Sequence, residues 1–289
     1  MVRTKIWCAD DLGAAELLRG RFCDFAYDVH THDKACFALI TRGAIRISMR
    51  GTEFVARAGD LYAIDADVPH AGWPVDDDGW SLRTLYVDVG HLNALVSEKD
   101  RTLALAGPIV RDRPLTSLFR DIHASSEVAG PLLEREEAYL AFTVRLFERH
   151  RRSASPPPPP GREARAVVLA QNFLDCHLDR QVRLHEIAQA AGLPPFRLFR
   201  AFAQATGMSP HGYQRQARVR YAAALIRLGR LLSDAALAAG FADQAHMTRS
   251  FRRTMGVTPG AYREAHQRTR RSAHAAATAR ARQSFPIFR

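Results

Sequence analysis

Hydrophobic positions in the first part of the chain come in short β-branched or aromatic runs, Phe37 to Ser48, Phe54 to Arg57, Leu61 to Ile64 and Leu82 to Val87. Gly43, Gly51, Gly59 and Pro69 punctuate them, the spacing of an antiparallel barrel or sandwich. The period then changes. Leu115 to Glu127 places Leu115, Leu118, Phe119 and Ile122 on one helical face, and Leu132 to Arg149 places Leu133, Tyr139, Leu140, Val144 and Phe147 likewise. Such a hairpin packs either on the barrel or on a second copy of the chain. Five consecutive prolines, Pro156 to Pro160, then favour a stiff polyproline II spacer. We therefore divide the chain into a β-rich domain at 1–152, a linker at 153–161, a helical domain at 162–267 and a tail at 268–289.

The helical domain repeats itself. Arg200, Phe202, Gly207, Pro210 and Tyr213 recur 49 residues later as Arg249, Phe251, Gly256, Pro259 and Tyr262. Upstream, Ala188, Ala190, Ala191 and Gly192 match Ala236, Ala238, Ala239 and Gly240 at an offset of 48, so the second copy carries one extra residue just after the glycine. Each copy reads as a short helix ending in Ala-Gly, a tight turn and a second helix, which is a helix-turn-helix. Small Ala188 and Ala236 let the helices cross closely, and Gly192 and Gly240 suit a left-handed turn. Leu198, Phe202, Met247 and Phe251 are assigned to the core. Ser209 and Thr258 are helix N-caps followed by Pro at the first helical position, and Pro210 to Leu228 is a helix joining the two units.

Composition narrows the class. The 289 residues are 47% hydrophobic and 25% charged, ordinary for a globular protein of about two domains. No window is apolar enough for a membrane span, and Arg3, Lys5, Asp10 and Asp11 stand where a signal peptide needs apolar residues, so a cytoplasmic protein without membrane contact is expected. Cys8, Cys23, Cys36 and Cys176 are scattered, and reduced thiols are the default. Charge is uneven. Residues 1–155 hold 20 Lys+Arg against 23 Asp+Glu, while residues 156–289 hold 21 against 7. A basic helical half of this kind points to nucleic acid.

The motifs I-A-x-x-A-G (Ile187 to Gly192), L-x-R-x-F (Leu198 to Phe202), G-x-S-P (Gly207 to Pro210) and D-x-A-x-x-x-G-F-x-D-Q-x-H (Asp234 to His246), running into Arg249 to Tyr262, resemble the AraC/XylS family of bacterial transcription regulators. The resemblance implies that the two second helices enter successive major-groove segments of double-stranded DNA. Carried over, Gln244, His246, Thr248 and Arg249 would face bases in the second unit: Gln suits adenine, Arg guanine and the threonine methyl thymine. For Arg249 a phosphate clamp or an ion pair with Asp243 is the alternative. In the first unit Phe196, Phe199 and Arg200 take the equivalent surface, the two rings touching either thymine methyls or the core. Arg197, Arg215, Arg218, Arg252 and Arg253 are assigned to phosphates, or singly to solvated surface. The tail adds Arg268, Arg270, Arg271, Arg280, Arg282 and Arg289 without an acid.

The first domain resembles the cupin-like effector module that commonly precedes this region, through His30-x-His32-Asp33, A-G-D-L (Ala58 to Leu61) and D-V-P-H (Asp67 to His70). A metal cupin needs two histidines, an acid a few residues on and a later histidine. Here Lys34, Ala35, Cys36 and Phe37 occupy the acid's place, so the reading is an effector pocket lined by His30, His32, His70, Tyr62, Trp73 and Trp80, with no metal or other cofactor. A purely structural barrel stays open. The implied fold is a cupin-like β-barrel with a helical hairpin followed by an all-α double helix-turn-helix. The implied function is a non-enzymatic, ligand-responsive regulator with DNA, an unknown small molecule, RNA polymerase if it activates, and a homodimer mate as partners. The rival is a cupin metalloenzyme fused to a nonspecific DNA-binding module.

Overall fold

The computed structural model describes residues 3–95, 108–128, 132–150 and 161–268. The first half runs β1 (Arg3–Ala9), β2 (Ala15–Phe22), β3 (Tyr27–His30), β4 (Ala35–Met49), β5 (Thr52–Arg57), β6 (Leu61–Ile64), β7 (His70–Pro74), β8 (Trp80–Val87), α1 (Val89–Leu95), β9 (Ile109–Val110), α2 (Arg113–Glu127) and α3 (Leu132–His150). The second half is helical: α4 (Arg162–Cys176), α5 (Leu184–Ala191), α6 (Pro195–Thr206), α7 (Pro210–Arg227), α8 (Leu232–Ala238), α9 (Gln244–Met255) and α10 over 259–268. Most of linker 153–161 and the tail beyond 268 lie outside the described residues. No described helix is long and apolar enough to cross a membrane.

β4 organises the β domain because it is long enough to serve two ladders. Its first part pairs with β6 and β8, and Ala44–Met49 pairs with β5 and β7. The register shifts between Ile40 and Arg42, and Gly43 follows at φ +67, where a Cβ would strike the Gly79 carbonyl, so glycine is what lets the strand turn. The main ladder runs β1-β2-β8-β4-β6-β9, and β3, β5 and β7 fold over it through β4. The sheet does not close. The barrel expected from strand spacing is therefore an open sheet folded at β4.

Alternation along β4 feeds two cores, as a period of two requires. Cys36, Ala38 and Ile40 point inward with Ile45, Ile47, Tyr62 and Leu82. Ala35, Phe37 and Leu39 point outward, where Leu115, Phe119 and Ile122 of α2 and Tyr139, Phe142 and Leu146 of α3 cover them. The hairpin thus packs on the sheet. Asp112 fastens it: the carboxylate caps α2 by accepting from the Leu115 amide at 3.0 Å and receives Arg145 of α3 at 2.8 Å. The single α3 face read from the sequence splits in two. Tyr139 and Phe147 are buried, whereas Leu133, Leu140 and Val144 are exposed on the outer side.

In the helical half, α4 to α7 enclose one core around Leu198, Phe202 and Tyr213. In the second unit α7 takes the place that α4 has in the first, packing Val219, Ala222 and Ile226 against Met247, Phe251 and Tyr262, and this core runs on into the inner core of the β domain.

Candidate functional site

Each second helix is built as the repeat foretells. Gly192 adopts φ +66 after α5, and Asp243 caps α9 by accepting from the His246 amide at 2.6 Å. Capping commits Asp243, and among the described residues Arg249 has no ion-pair partner and stands exposed. Gln244 is exposed beside it. The Thr248 hydroxyl donates to the Gln244 carbonyl at 2.8 Å, so its donor is satisfied within the helix. His246 sits edge-on to Phe241 at 5.3 Å and is half-buried. On α6 the two rings are not core: Phe196 is 73% exposed and Phe199 42%, with the Arg200 guanidinium 5.9 Å from the Phe196 ring. Exposed phenylalanines on a helix that opens with Pro195 form an apolar surface next to an arginine.

The arginines divide by partner. Arg218 donates to the carbonyls of Leu178 and Arg180, both at 2.8 Å, which makes it a brace between α7 and the loop after α4. Arg197 meets Glu163 at 2.7 Å in an exposed pair. Arg215 and Arg253 both approach the Asp28 carboxylate of β3, at 3.2 and 3.9 Å. Arg252 is exposed. Arg249, Arg252, Arg253, Arg215 and Arg218 line one open cleft of about 720 Å³, and its opposite wall carries Asp24 and Asp28 of the β domain.

Inside the β domain, His30, His32 and His70 converge, with one ring nitrogen of each within 4.8 Å of the others. Every Nδ1 faces a backbone carbonyl: Asp28 for His30 at 2.7 Å, Lys34 for His32 at 2.6 Å and Val68 for His70 at 2.9 Å. A carbonyl only accepts, so each Nδ1 carries the hydrogen and each Nε2 keeps a lone pair. Burial, then the His32 neighbour, pushes His30 down to about 3, and burial likewise lowers His32 and His70. The space beside them is small. One cavity of about 30 Å³ is lined by His30, His70, Tyr62, Cys36 and Tyr86, and a second of about 40 Å³ by His30, His32, Glu16, Lys34, Arg227 and Tyr262. Trp73 and Trp80 line neither, correcting the expected pocket. Alternation along β7 turns Gly72 inward and Trp73 away, and Trp80 stacks on Phe22 at 5.1 Å.

The triad touches the helical half through the residue between its first two members. Gln216 of α7 donates to both the carbonyl and the hydroxyl of Thr31 at 2.7 Å, and Arg220 donates to the same hydroxyl at 3.2 Å. Nearby, Tyr262 donates to Glu16 at 3.3 Å and accepts from Arg227 at 2.9 Å. Burial by itself would raise Glu16, but Lys34, His266 and Arg227 around it hold the carboxyl below its ordinary range. The glycine after α9, Gly256, has φ +70, and a Cβ there would strike the Tyr27 hydroxyl of β3.

A family model described as AraC-like ligand binding domain matches residues 12–142, and one described as helix-turn-helix domain matches residues 187–265. The chain belongs to the AraC family of transcription regulators. Among its relatives, an uncharacterised HTH-type transcriptional regulator, YbfI of Bacillus subtilis, is 25% identical over 221 residues, 75% of this chain and 80% of its own. The transcriptional activator RhaR of Escherichia coli O1:K1 is 26% identical over 255 residues, 84% of this chain and 89% of its own. Among solved structures, Vibrio cholerae ToxT with unsaturated fatty acid bound superposes with a TM-score of 0.51 at 12% identity, covering 91% of this chain and 94% of that one, which is a likeness of fold. As an AraC-family protein the chain is a DNA-binding transcription regulator, with the ligand-binding domain preceding the double helix-turn-helix.

Sequence reasoning missed the residues that join the two halves of this AraC-type chain. Asp28, Thr31, Gln216 and Arg220 carry no local signature of contact. Glu16 did leave a signal, since it is an acid inside the otherwise apolar strand segment Ala15 to Leu18. Tyr262 left another: its repeat mate Tyr213 donates to Asp175 of α4, so the second tyrosine needed an acid too, and the β domain supplies it.

Proposed function

We propose that the chain regulates transcription in response to a ligand by tightening or loosening the hold of β3 on the DNA-binding half. The observation that carries this reading is the place of Thr31. Its neighbours His30 and His32 face the cavity, while its own carbonyl and hydroxyl are gripped by Gln216 and Arg220 of α7. A ligand that shifts the histidines must shift Thr31, and Asp28 lies three residues upstream of it, on Arg215 and Arg253. Occupancy then biases two states of one interface, as an allosteric response requires.

In the DNA-bound state, Gln244, Thr248 and Arg249 read bases from α9, with His246 beside them. Phe196, Phe199 and Arg200 of α6 supply apolar contact and one hydrogen-bonding group. Arg252, Arg253 and Arg215 take phosphates once Asp28 lets go, and Arg197 joins them by exchanging Glu163. Arg218 serves as the brace its carbonyl bonds describe. The enzyme alternative draws no support from relatives that are regulators, and binding is the activity proposed. We place the protein in the cytoplasm with DNA, as a homodimer through the outer face of α3, and in contact with RNA polymerase where it activates.

Titration of full-length protein onto duplex DNA across salt concentrations tests the reading. With roughly six phosphate contacts the log-log slope is about −5. Asp28→Asn frees two arginines and removes a carboxylate from the cleft, so it binds about two- to fivefold tighter, the scale of a half-exposed ion pair. Binding that ignores salt, or an Asp28→Asn protein that binds no better than wild type, contradicts it.

A further inference from the structure

The sequence argues against a metal in the β domain because no acid follows the histidine pair and Lys34 stands in its place. The structure answers the second objection and coordination chemistry the first. The Lys34 ammonium is turned onto Glu16 at 3.0 Å and the Ala14 carbonyl at 3.2 Å, so its charge is already met. Three neutral imidazoles suffice as protein ligands for a divalent ion that keeps an open fourth position.

We propose that His30, His32 and His70 bind one divalent first-row transition-metal ion of the zinc class through their Nε2 atoms.

Four features converge on this assignment. Each Nδ1–H is fixed by a backbone carbonyl, which sets the tautomer and leaves Nε2 as the donor, the arrangement that accompanies metal-bound histidine. The His32 Nε2 is buried with no hydrogen-bond partner among the described residues, a lone pair with nothing to accept from. The ring nitrogens lie within 4.8 Å, and tetrahedral bonding at about 2.0–2.1 Å places nitrogens roughly 3.4 Å apart, so small ring rotations about the Nδ1 anchors close the shell. The adjoining cavities, about 30 and 40 Å³, have room for an ion and its water, whereas organic ligands occupy about 300 Å³ or more.

Chemistry selects the class of ion. An all-imidazole set suits zinc, cobalt, nickel or copper and disfavours calcium or magnesium, which want oxygen. Cys36 lines the other cavity but lies outside the group of converging donor atoms.

The test uses untagged full-length protein stripped by chelator and titrated with Zn2+ or Co2+ in the absence of DNA, so its outcome is separate from that of the interdomain reading. The expected results are one equivalent bound, a visible cobalt spectrum of low coordination number, and a raised thermal midpoint. His32→Ala and His70→Ala lose all three, and His185→Ala, at an exposed site, keeps them. X-ray absorption of the wild-type zinc protein needs no variant to fold: it shows imidazole nitrogens at about 2.0–2.1 Å. Folded wild type that takes up no stoichiometric metal, folded triad variants that still bind it, or a sulfur shell near 2.3 Å would overturn the assignment.

Discussion

His123 illustrates how a single buried group sets a pH dependence. It is wholly buried between α2 and β8, donates from Nε2 to the Thr84 carbonyl and offers its Nδ1 lone pair to Arg83, both at 3.0 Å. Burial first, then the Arg83 charge, lowers it from 6.5 to about 4. The folded protein therefore binds fewer protons than the unfolded chain between those values, so this contribution is complete above pH 6.5 and is lost as pH falls toward 4, by about 3 kcal/mol in all. Urea unfolding at pH 7 and pH 5 checks it: His123→Gln should be less stable at pH 7 and lose less between the two. Equal losses in variant and wild type would remove His123 as the cause. Two glycines allow a second comparison. Gly192→Ala meets open space and bears only the strain of its positive φ, about 1 kcal/mol, whereas Gly256→Ala must also displace Tyr27. In thermal unfolding Gly256→Ala should fall further, and equal losses would mean that Tyr27 gives way freely.

Among the elements, α3 was the least legible. The sequence shows its helical period but cannot say which of two apolar stripes meets the sheet, because Tyr139 and Leu140 are adjacent and both apolar. Packing settles it through Phe142, which meets Phe37 of β4 edge-on at 5.3 Å. The outer stripe of Leu133, Leu140 and Val144 is then available to a second copy. Leu140→Glu with Val144→Glu should leave the helical circular dichroism intact and convert a dimer to a monomer in sedimentation. A wild-type monomer at tens of micromolar, or a charged variant that still dimerises, contradicts that role. The helix-turn-helix units were the most legible, since their caps and turns are local chemistry: Ser209 caps α7 by accepting from the Gly212 amide at 3.1 Å, as Asp243 does for α9. That His30, His32, His70 and Tyr62 line the small cavities follows from their motif and strand, whereas the sequence does not show that Trp73 and Trp80 stay outside them. Trp73 lies on the side of β7 that turns away, which is fixed by pairing partners far away in sequence, and Trp80 shares the inward face of β8 with Leu82 but sits farther along the strand, in the core against Phe22.

For the molecule as a whole, the two halves were legible and their junction was not. Charge division and the repeat separate a sensor from a DNA-binding domain, but the contacts of Thr31 with Gln216, Glu16 with Tyr262 and Asp28 with Arg215 span more than 180 residues and follow no local pattern. The two units differ in how their cores end: the first closes on itself between α4 and α7, whereas the second, backed by α7, is continuous with the inner core of the sensor domain. The central claim is that this AraC-family chain reads sequence with two unequal helices, α9 discriminating through Gln244, Thr248 and Arg249, and α6 positioning through Phe196, Phe199 and Arg200. Selection of random duplexes by full-length wild type and by Arg249→Ala, read by sequencing, tests it most directly. The account predicts a two-part motif with centres about 10 base pairs apart, the more stringent part belonging to α9. Arg249→Ala relaxes one base pair of that part by about 1 to 3 kcal/mol and leaves the rest intact. An Arg249→Ala motif identical to wild type, or a more stringent part that responds to Arg200→Ala instead, contradicts it.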